Sequence, residues 1–142
     1  MPMTSKKKRD LLRKVGLFAE MTERSLTAIA SKAVDIDFDA GQYVVRQGQV
    51  GTGFYLITGG RAKVVRGGQV LHRLGPGDFF GELSVLDQLP RMAHVITEEP
   101  TTCLALASWD FSKLLEENPK ITISLLREVA RRLREATDSH RH

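Results

Sequence analysis

Hydrophobic and polar positions change period several times along the chain. Near the start, Asp10-Leu11-Leu12-Arg13-Lys14-Val15 has a short helical pattern that stops near Gly16. Thr22 is a candidate N-cap for a second helix over 23–30, where Leu26, Ile29 and Ala30 share one face through i, i+3, i+4 spacing. From Ala33 to Asp39 the pattern alternates instead. Val34, Ile36 and Phe38 fall on one side and Asp35, Asp37 and Asp39 on the other, which predicts a half-exposed strand.

Short β-type runs then follow: 43–45, 54–57, 62–65, 69–71, 93–96 and 103–106. Turns separate them at 48–53, Gly59-Gly60, Gly67-Gly68 and Gly75-Pro76-Gly77-Asp78, and eleven of the twelve glycines lie between Gly41 and Gly81. This spacing predicts a barrel or sandwich, with Gly-Gly pairs suited to hairpin turns of positive φ. After Ser108 the helical period returns. Ser108 is a candidate cap for a helix over 109–117, with Trp109 as a packing anchor. Asn118-Pro119 breaks that helix and opens a longer one. In it, Ile121, Leu125, Val129 and Leu133 recur in steps of four, and Leu126, Ala130 and Ala136 widen the stripe. The stripe can cover the molecule's own core or pair with a second copy.

Composition narrows the class. A chain of 142 residues with 42% hydrophobic and 27% charged residues supports one core and argues against disorder. No apolar run reaches the roughly 18 residues a membrane span needs. The polar, basic start has no apolar segment behind it, so a secretory signal is not expected. Cys103 has no possible intrachain partner, which fits a reducing, cytoplasmic setting. The net charge of +4 is concentrated at the ends, because residues 1–14 carry six Lys/Arg against one Asp. Residues 1–10 are expected to be a flexible basic segment, 11–137 the domain, and 138–142 a polar tail. The basic run lacks interleaved aromatics, so it does not resemble a single-strand stacking platform.

The stretch from Leu74 to Leu86, with Pro90-Arg91-Met92-Ala93 after it, carries the chemistry. A turn leads through Phe79-Phe80-Gly81 into a short helical segment whose N–H groups can meet an anion. Gly81 permits close approach of a ligand to the backbone. Arg91 follows Glu82 by nine residues, and a hairpin-like return would bring its guanidinium over that helix start. Its bidentate fork matches phosphate oxygens. A carboxylate at Glu82 suits a sugar hydroxyl, so the set describes a small phosphorylated ribose. A surface Glu82–Arg91 ion pair closing the loop is the competing reading. Chemistry alone leaves both open.

Phe80-Gly81-Glu82-Leu83-Ser84, the eight-residue gap to Arg91, and Ala93 resemble the phosphate-binding cassette of the cyclic-nucleotide-binding domain family. That family includes catabolite-activator-type regulators, protein kinase A regulatory subunits and nucleotide-gated channels. Gly48, Gly51 and Phe54-Tyr55 resemble its second turn, although Thr52 stands where Asp is frequent. Gly60 with Ala62-Lys63-Val64 resembles its next hairpin, and the likeness covers about residues 11–135. The resemblance implies a mainly-β fold with helices: a double-stranded β-helix (jelly-roll) barrel, flanked by N-terminal helices and a long C-terminal helix.

It also implies roles. Glu82 would accept the ribose 2′-hydroxyl and Arg91 would pair with the cyclic phosphate. Backbone N–H groups at Gly81, Leu83, Ser84, Met92 and Ala93 would complete the cradle beside Phe80. The terminal helix, around Arg132 and Thr137, would close over the base, and Ala130-Arg131-Arg132-Leu133 resembles the bacterial regulators here. Met92 departs from the usual Ser, Thr or Ala. It cannot offer a hydroxyl to guanine, so cAMP is expected over cGMP, and its bulk could alter the pocket.

No enzyme site is expected, because no Ser/His/Asp or Cys/His grouping is present. His72 and His94 lie on different strands and no metal is expected. Cys103 reads as packed core. No cofactor is implied; cAMP would act as a regulatory ligand on a sensor module with an output protein. The alternatives are a fragment of a transcription regulator, a piece of a channel or enzyme, and a degenerate barrel that binds only protein. The chain ends within or just after its long helix, so DNA binding is not expected of it alone.

Overall fold

Helix α1 (Ser5–Arg13) starts earlier than the hydrophobic pattern indicates. Thr4 caps it, its hydroxyl accepting the Lys7 N–H at 3.2 Å. Most of the basic segment expected to be flexible is therefore helical. Lys and Arg are good helix formers, and tertiary contacts hold them. Lys8 Nζ donates to the Ala33 carbonyl at 2.7 Å and lies 3.8 Å from Asp35, while Arg9 and Arg13 pair with Glu23. Residues 3–49, 53–81 and 91–139 are described in this computed structural model.

A 3-10 turn at Gly16–Phe18 leads to α2 (Glu23–Lys32), where Thr22 is the N-cap, accepting the Ser25 N–H at 3.2 Å. Eight strands follow among the described residues: β1 (Val34–Phe38), β2 (Tyr43–Val45), β3 (Gly53–Gly59), β4 (Ala62–Arg66), β5 (Gln69–Leu74), β6 (Phe79–Phe80), β7 (His94–Thr97) and β8 (Thr101–Ala107). They form two four-stranded antiparallel sheets, ordered β1-β8-β3-β6 and β2-β7-β4-β5. Helix α3 (Ser108–Glu117) and the long α4 (Pro119–Ser139) close the chain. The architecture is a mainly-β jelly roll with helices at both ends of the sequence. The two-residue strand β6 was too short to leave a period-2 signal. Tyr55↔Phe80 and Leu56↔Phe79 pairing defines it.

Side-chain alternation divides the interior. Phe54 and Leu56 of β3, Phe79 of β6 and Leu104 and Leu106 of β8 face the helices, where they meet Leu12, Phe18, Leu26, Phe111, Ile121 and Leu125. Ile57, Phe80, Cys103, Ala62, Leu74 and Val95 form a second cluster inside the barrel. Phe54 joins barrel to helices: its ring stacks on Phe111 at 4.2 Å and meets Phe18 edge-on at 6.4 Å.

Four expectations are corrected here. Val34 is 57% exposed, because β1 is an edge strand and its first residue stands at the sheet corner. Trp109 is 70% exposed and anchors no core; Phe111, two positions on, takes that place. Ser108 lies inside α3, and Ala107 occupies the cap position without a side-chain bond. The α4 stripe is split: Ile121 and Leu125 are buried against the helices, whereas Leu133 is 66% exposed, because each step of four turns about 40° around the helix and carries it off the buried face. Cys103 is fully buried, and burial pushes its thiol up to about 12, so it is packed core and chemically quiet. No described helix is long and apolar enough to cross a membrane.

Candidate functional site

The site is built where β3 begins, β6 ends and β7 is about to start. Gly81 follows β6 with φ of +95°, a conformation L side chains avoid. A Cβ at this position would stand 2.6 Å from the Gly53 carbonyl oxygen and 2.7 Å from Arg91 Nη1. Glycine is required here on both counts. Arg91 is 8% exposed, and its Nη2 donates to the Gly53 carbonyl at 2.9 Å. A buried guanidinium is stable only where acceptors hold it, and Gly53 supplies one.

The Arg91 backbone is clamped as well. Its N–H donates to the Gln49 carbonyl at 2.8 Å, and its carbonyl accepts the Gly48 N–H at 2.9 Å. The side-chain fork is thus held by the first residue of β3, and the backbone of the same residue by Gly48 and Gln49. Phe80 lies inside the barrel, stacked on Tyr55 with ring centroids 5.2 Å apart. Ala93 is half-buried. Met92 is 60% exposed, so its bulk is directed to solvent and does not pack into the barrel interior.

The fold therefore brings Phe80, Gly81 and Arg91 together, as the sequence indicates. Glu82, Leu83 and Ser84 lie outside the described residues. So does the short helical segment expected after Gly81, and with it either reading of a Glu82–Arg91 pair. Sequence reasoning missed Gly53 and the turn at Gly48 and Gln49 as supports of Arg91. Their signal was the density of glycines across 48–53, which marked a turn but not its partner.

Arg132 reaches the same strand from the other side. Its Nη2 donates to the Phe79 carbonyl at 3.2 Å, its guanidinium lies 4.6 Å over the Phe79 ring, and its Nε pairs with Glu128 at 3.2 Å. Glu128 is held below the usual carboxylate range, first by the hydrogen bond from Arg131. Thr137, by contrast, is exposed and its hydroxyl donates back to the Leu133 carbonyl at 2.9 Å. A cleft of about 290 Å³ opens between the 3-10 turn, the Gly77-Asp78 turn and α4, lined by Asp78, Phe79, Ser124, Glu128 and Arg132 among others. It lies on the helix side of β6, and its lining includes none of Phe80, Gly81 and Arg91. No group of three or more His, Cys, Asp or Glu among the described residues could hold a metal ion.

The chain is thus an antiparallel jelly roll that sets a buried arginine against a glycine at the end of a short strand. The family model for the cyclic nucleotide-binding domain matches residues 35–118, and the chain belongs to that family. It is 32% identical over 140 residues to the CRP-like cAMP-activated global transcriptional regulator of Mycobacterium tuberculosis. That match covers 92% of this chain and 60% of the relative, so the chain spans only part of the regulator's length. Among solved structures, Thermus thermophilus catabolite activator protein superposes with a TM-score of 0.78 at 34% identity, covering 87% of this chain and 60% of that one. The regulatory domain of Toxoplasma gondii PKA, crystallised with cAMP, gives a TM-score of 0.80 at 24% identity, over 89% of this chain and 50% of that one. At that identity the likeness supports the fold alone.

Proposed function

We propose that the chain is a cAMP-binding regulatory module, not an enzyme, whose C-terminal helix changes position on ligand binding. The observation that carries this reading is the buried Arg91, held at the Gly53 carbonyl beside a glycine that admits no side chain. Its fork would take the cyclic phosphate. Glu82 would accept the ribose hydroxyl, and the N–H groups of Gly81, Leu83, Ser84, Met92 and Ala93 would complete the cradle. Arg132 supports the helix step: it ties α4 to the Phe79 carbonyl, one residue before Phe80 and two before Gly81. A ligand that displaced Gly81 would strain that tie, and differential affinity for the two helix positions would supply the coupling. The relatives named for cAMP activation and catabolite activation favour this reading and a cytoplasmic regulator as its context.

Met92 has no hydroxyl to offer the guanine edge, so cAMP is the preferred ligand. Titration calorimetry of the chain with each nucleotide tests this. Heat of binding to cAMP with a several-fold weaker cGMP constant is expected. Equal or tighter cGMP binding removes the preference, and silence with both removes the function.

A second feature favours use within a dimeric transcription regulator. On α4, Ile123, Leu126 and Leu133 are 49%, 63% and 66% exposed. With the exposed Ala130 they follow the 3-4-3 spacing of a coiled-coil seam. This is a different stripe from the Ile121/Leu125/Val129 set, whose first two members belong to the core. A second copy of the chain, seated seam to seam, would bury it. Sedimentation equilibrium should show a dimer that the paired Leu126→Asp and Leu133→Asp substitutions convert to monomer. A monomeric parent would leave the seam to another protein.

A further inference from the structure

The turn that holds Arg91 is itself fastened by a side chain that can gain a proton. Strands β2 and β7 pair through Tyr43↔Ile96 and Val45↔Val95, with an irregularity between the two pairs. Two residues further along the turn, the Gln47 N–H donates to Nδ1 of His94 at 3.0 Å. The next bonds are those of Gly48 and Gln49 to the Arg91 backbone, at 2.9 and 2.8 Å. The imidazole thus continues the attachment between the strand pair and the clamp. Because the donor is a backbone N–H, the ring nitrogen that faces it must carry no proton, and the ring's hydrogen resides on Nε2. An imidazolium has no acceptor left. Protonation would replace this attraction with two N–H groups facing one another.

Among the described residues, an aromatic ring and basic side chains surround His94. The Tyr43 ring meets the imidazole edge-on at 5.1 Å, and the Arg46 guanidinium lies 4.2 Å over that same Tyr43 ring. From β4, Val65 stands opposite His94, with Arg66 next to it and Lys63 opposite Ile96. The charged groups on β2, β4 and the 46–49 turn are therefore all cations.

We infer that His94 is a positioning residue for Arg91: neutral, it fastens the 46–49 turn that clamps the arginine, and protonated it releases that turn. The module would then bind its anionic ligand less tightly as the medium acidifies. The inference rests on the cyclic-nucleotide reading for its ligand but not for its mechanical content.

The test is calorimetric titration of the full chain with cAMP at about pH 8 and about pH 5.5, bracketing imidazole titration. Wild type should lose affinity about two- to tenfold at the acid end, the value of one ordinary hydrogen bond. In His94→Asn an amide oxygen can accept from Gln47 without titrating, so affinity at pH 8 should be kept and the acid loss should shrink. His94→Leu lacks an acceptor, and should bind two- to tenfold more weakly at pH 8 with little further acid loss. The same acid loss in His94→Asn as in wild type would assign the effect to another group, such as His72, and overturn the inference. So would wild-type affinity in His94→Leu at pH 8. A second measurement needs no nucleotide. Amide exchange protection at Gln47, Gly48 and Arg91, corrected for intrinsic rate, should fall on acidification in wild type and not in His94→Asn. If no nucleotide binds at any pH, the ligand reading fails, and the exchange data still decide the role of His94. Protection that is independent of pH sinks it.

Discussion

Arg91→Ala is expected to weaken cAMP binding ten- to a hundredfold or more, the largest single effect on the ligand. A hydrogen bond to a charged group contributes about 1.5–3 kcal/mol, and each 1.4 kcal/mol is about a decade in affinity. The guanidinium is already in place, held at 2.9 Å by the Gly53 carbonyl, so no ordering cost offsets its contact with phosphate. Calorimetry reads the affinity, and a thermal melt of the same variant separates lost contact from lost fold. Arg91→Lys should fall between, since an ammonium keeps the charge without the bidentate fork. Glu82→Gln should be milder than either, because its amide oxygen can still accept from a hydroxyl. Unchanged affinity in Arg91→Ala would remove that residue from the site.

Phe54→Ala should have the largest effect on stability, about 3–5 kcal/mol by chemical denaturation. That is a large share of the 5–15 kcal/mol typical of a domain. Phe54 is 1% exposed and touches three other rings: Phe111 stacked at 4.2 Å, Phe79 tilted at 5.5 Å and Phe18 edge-on at 6.4 Å. Neither the helices nor the sheet can close that cavity without moving relative to the other. The neighbouring Gly53 carries the carbonyl that holds Arg91, so ligand affinity should fall in the same variant. Phe54→Leu, which keeps most of the volume, should cost less. A loss under about 1 kcal/mol in Phe54→Ala would show that the ring cluster does not couple the two layers.

Arg132 and His94 represent two different limits on what a sequence discloses. Arg132 was legible because its neighbours resemble those of the family's regulators, and the structure sets it on β6. What it contacts there, the Phe79 carbonyl and ring, lies 53 residues away in the chain, and no local pattern encodes that distance. His94 carried no signal beyond its place on a strand. Its meaning comes from Gln47, a residue 47 positions earlier that only the β2–β7 pairing brings near.

The hydrophobic periods and the glycine-rich turns determined most of the elements and narrowed the fold to a barrel or sandwich, because burial of one face is a local demand that each segment records in its own residues. The cassette wording pointed to Phe80, Gly81 and Arg91 as neighbours, and the fold sets Gly81 directly against the Arg91 guanidinium. Tertiary structure alone decided the rest. It turned the basic run at 6–9 into helix by giving Lys8 and Arg9 partners on other elements. It set Ile121 and Leu125 of α4 in the core and left Leu126 and Leu133 exposed, which depends on which face of the helix meets the layer beneath it. It also chose the supports of Arg91, since hydrogen bonds between distant turns depend on register and curvature, and these are set by the packing of whole sheets.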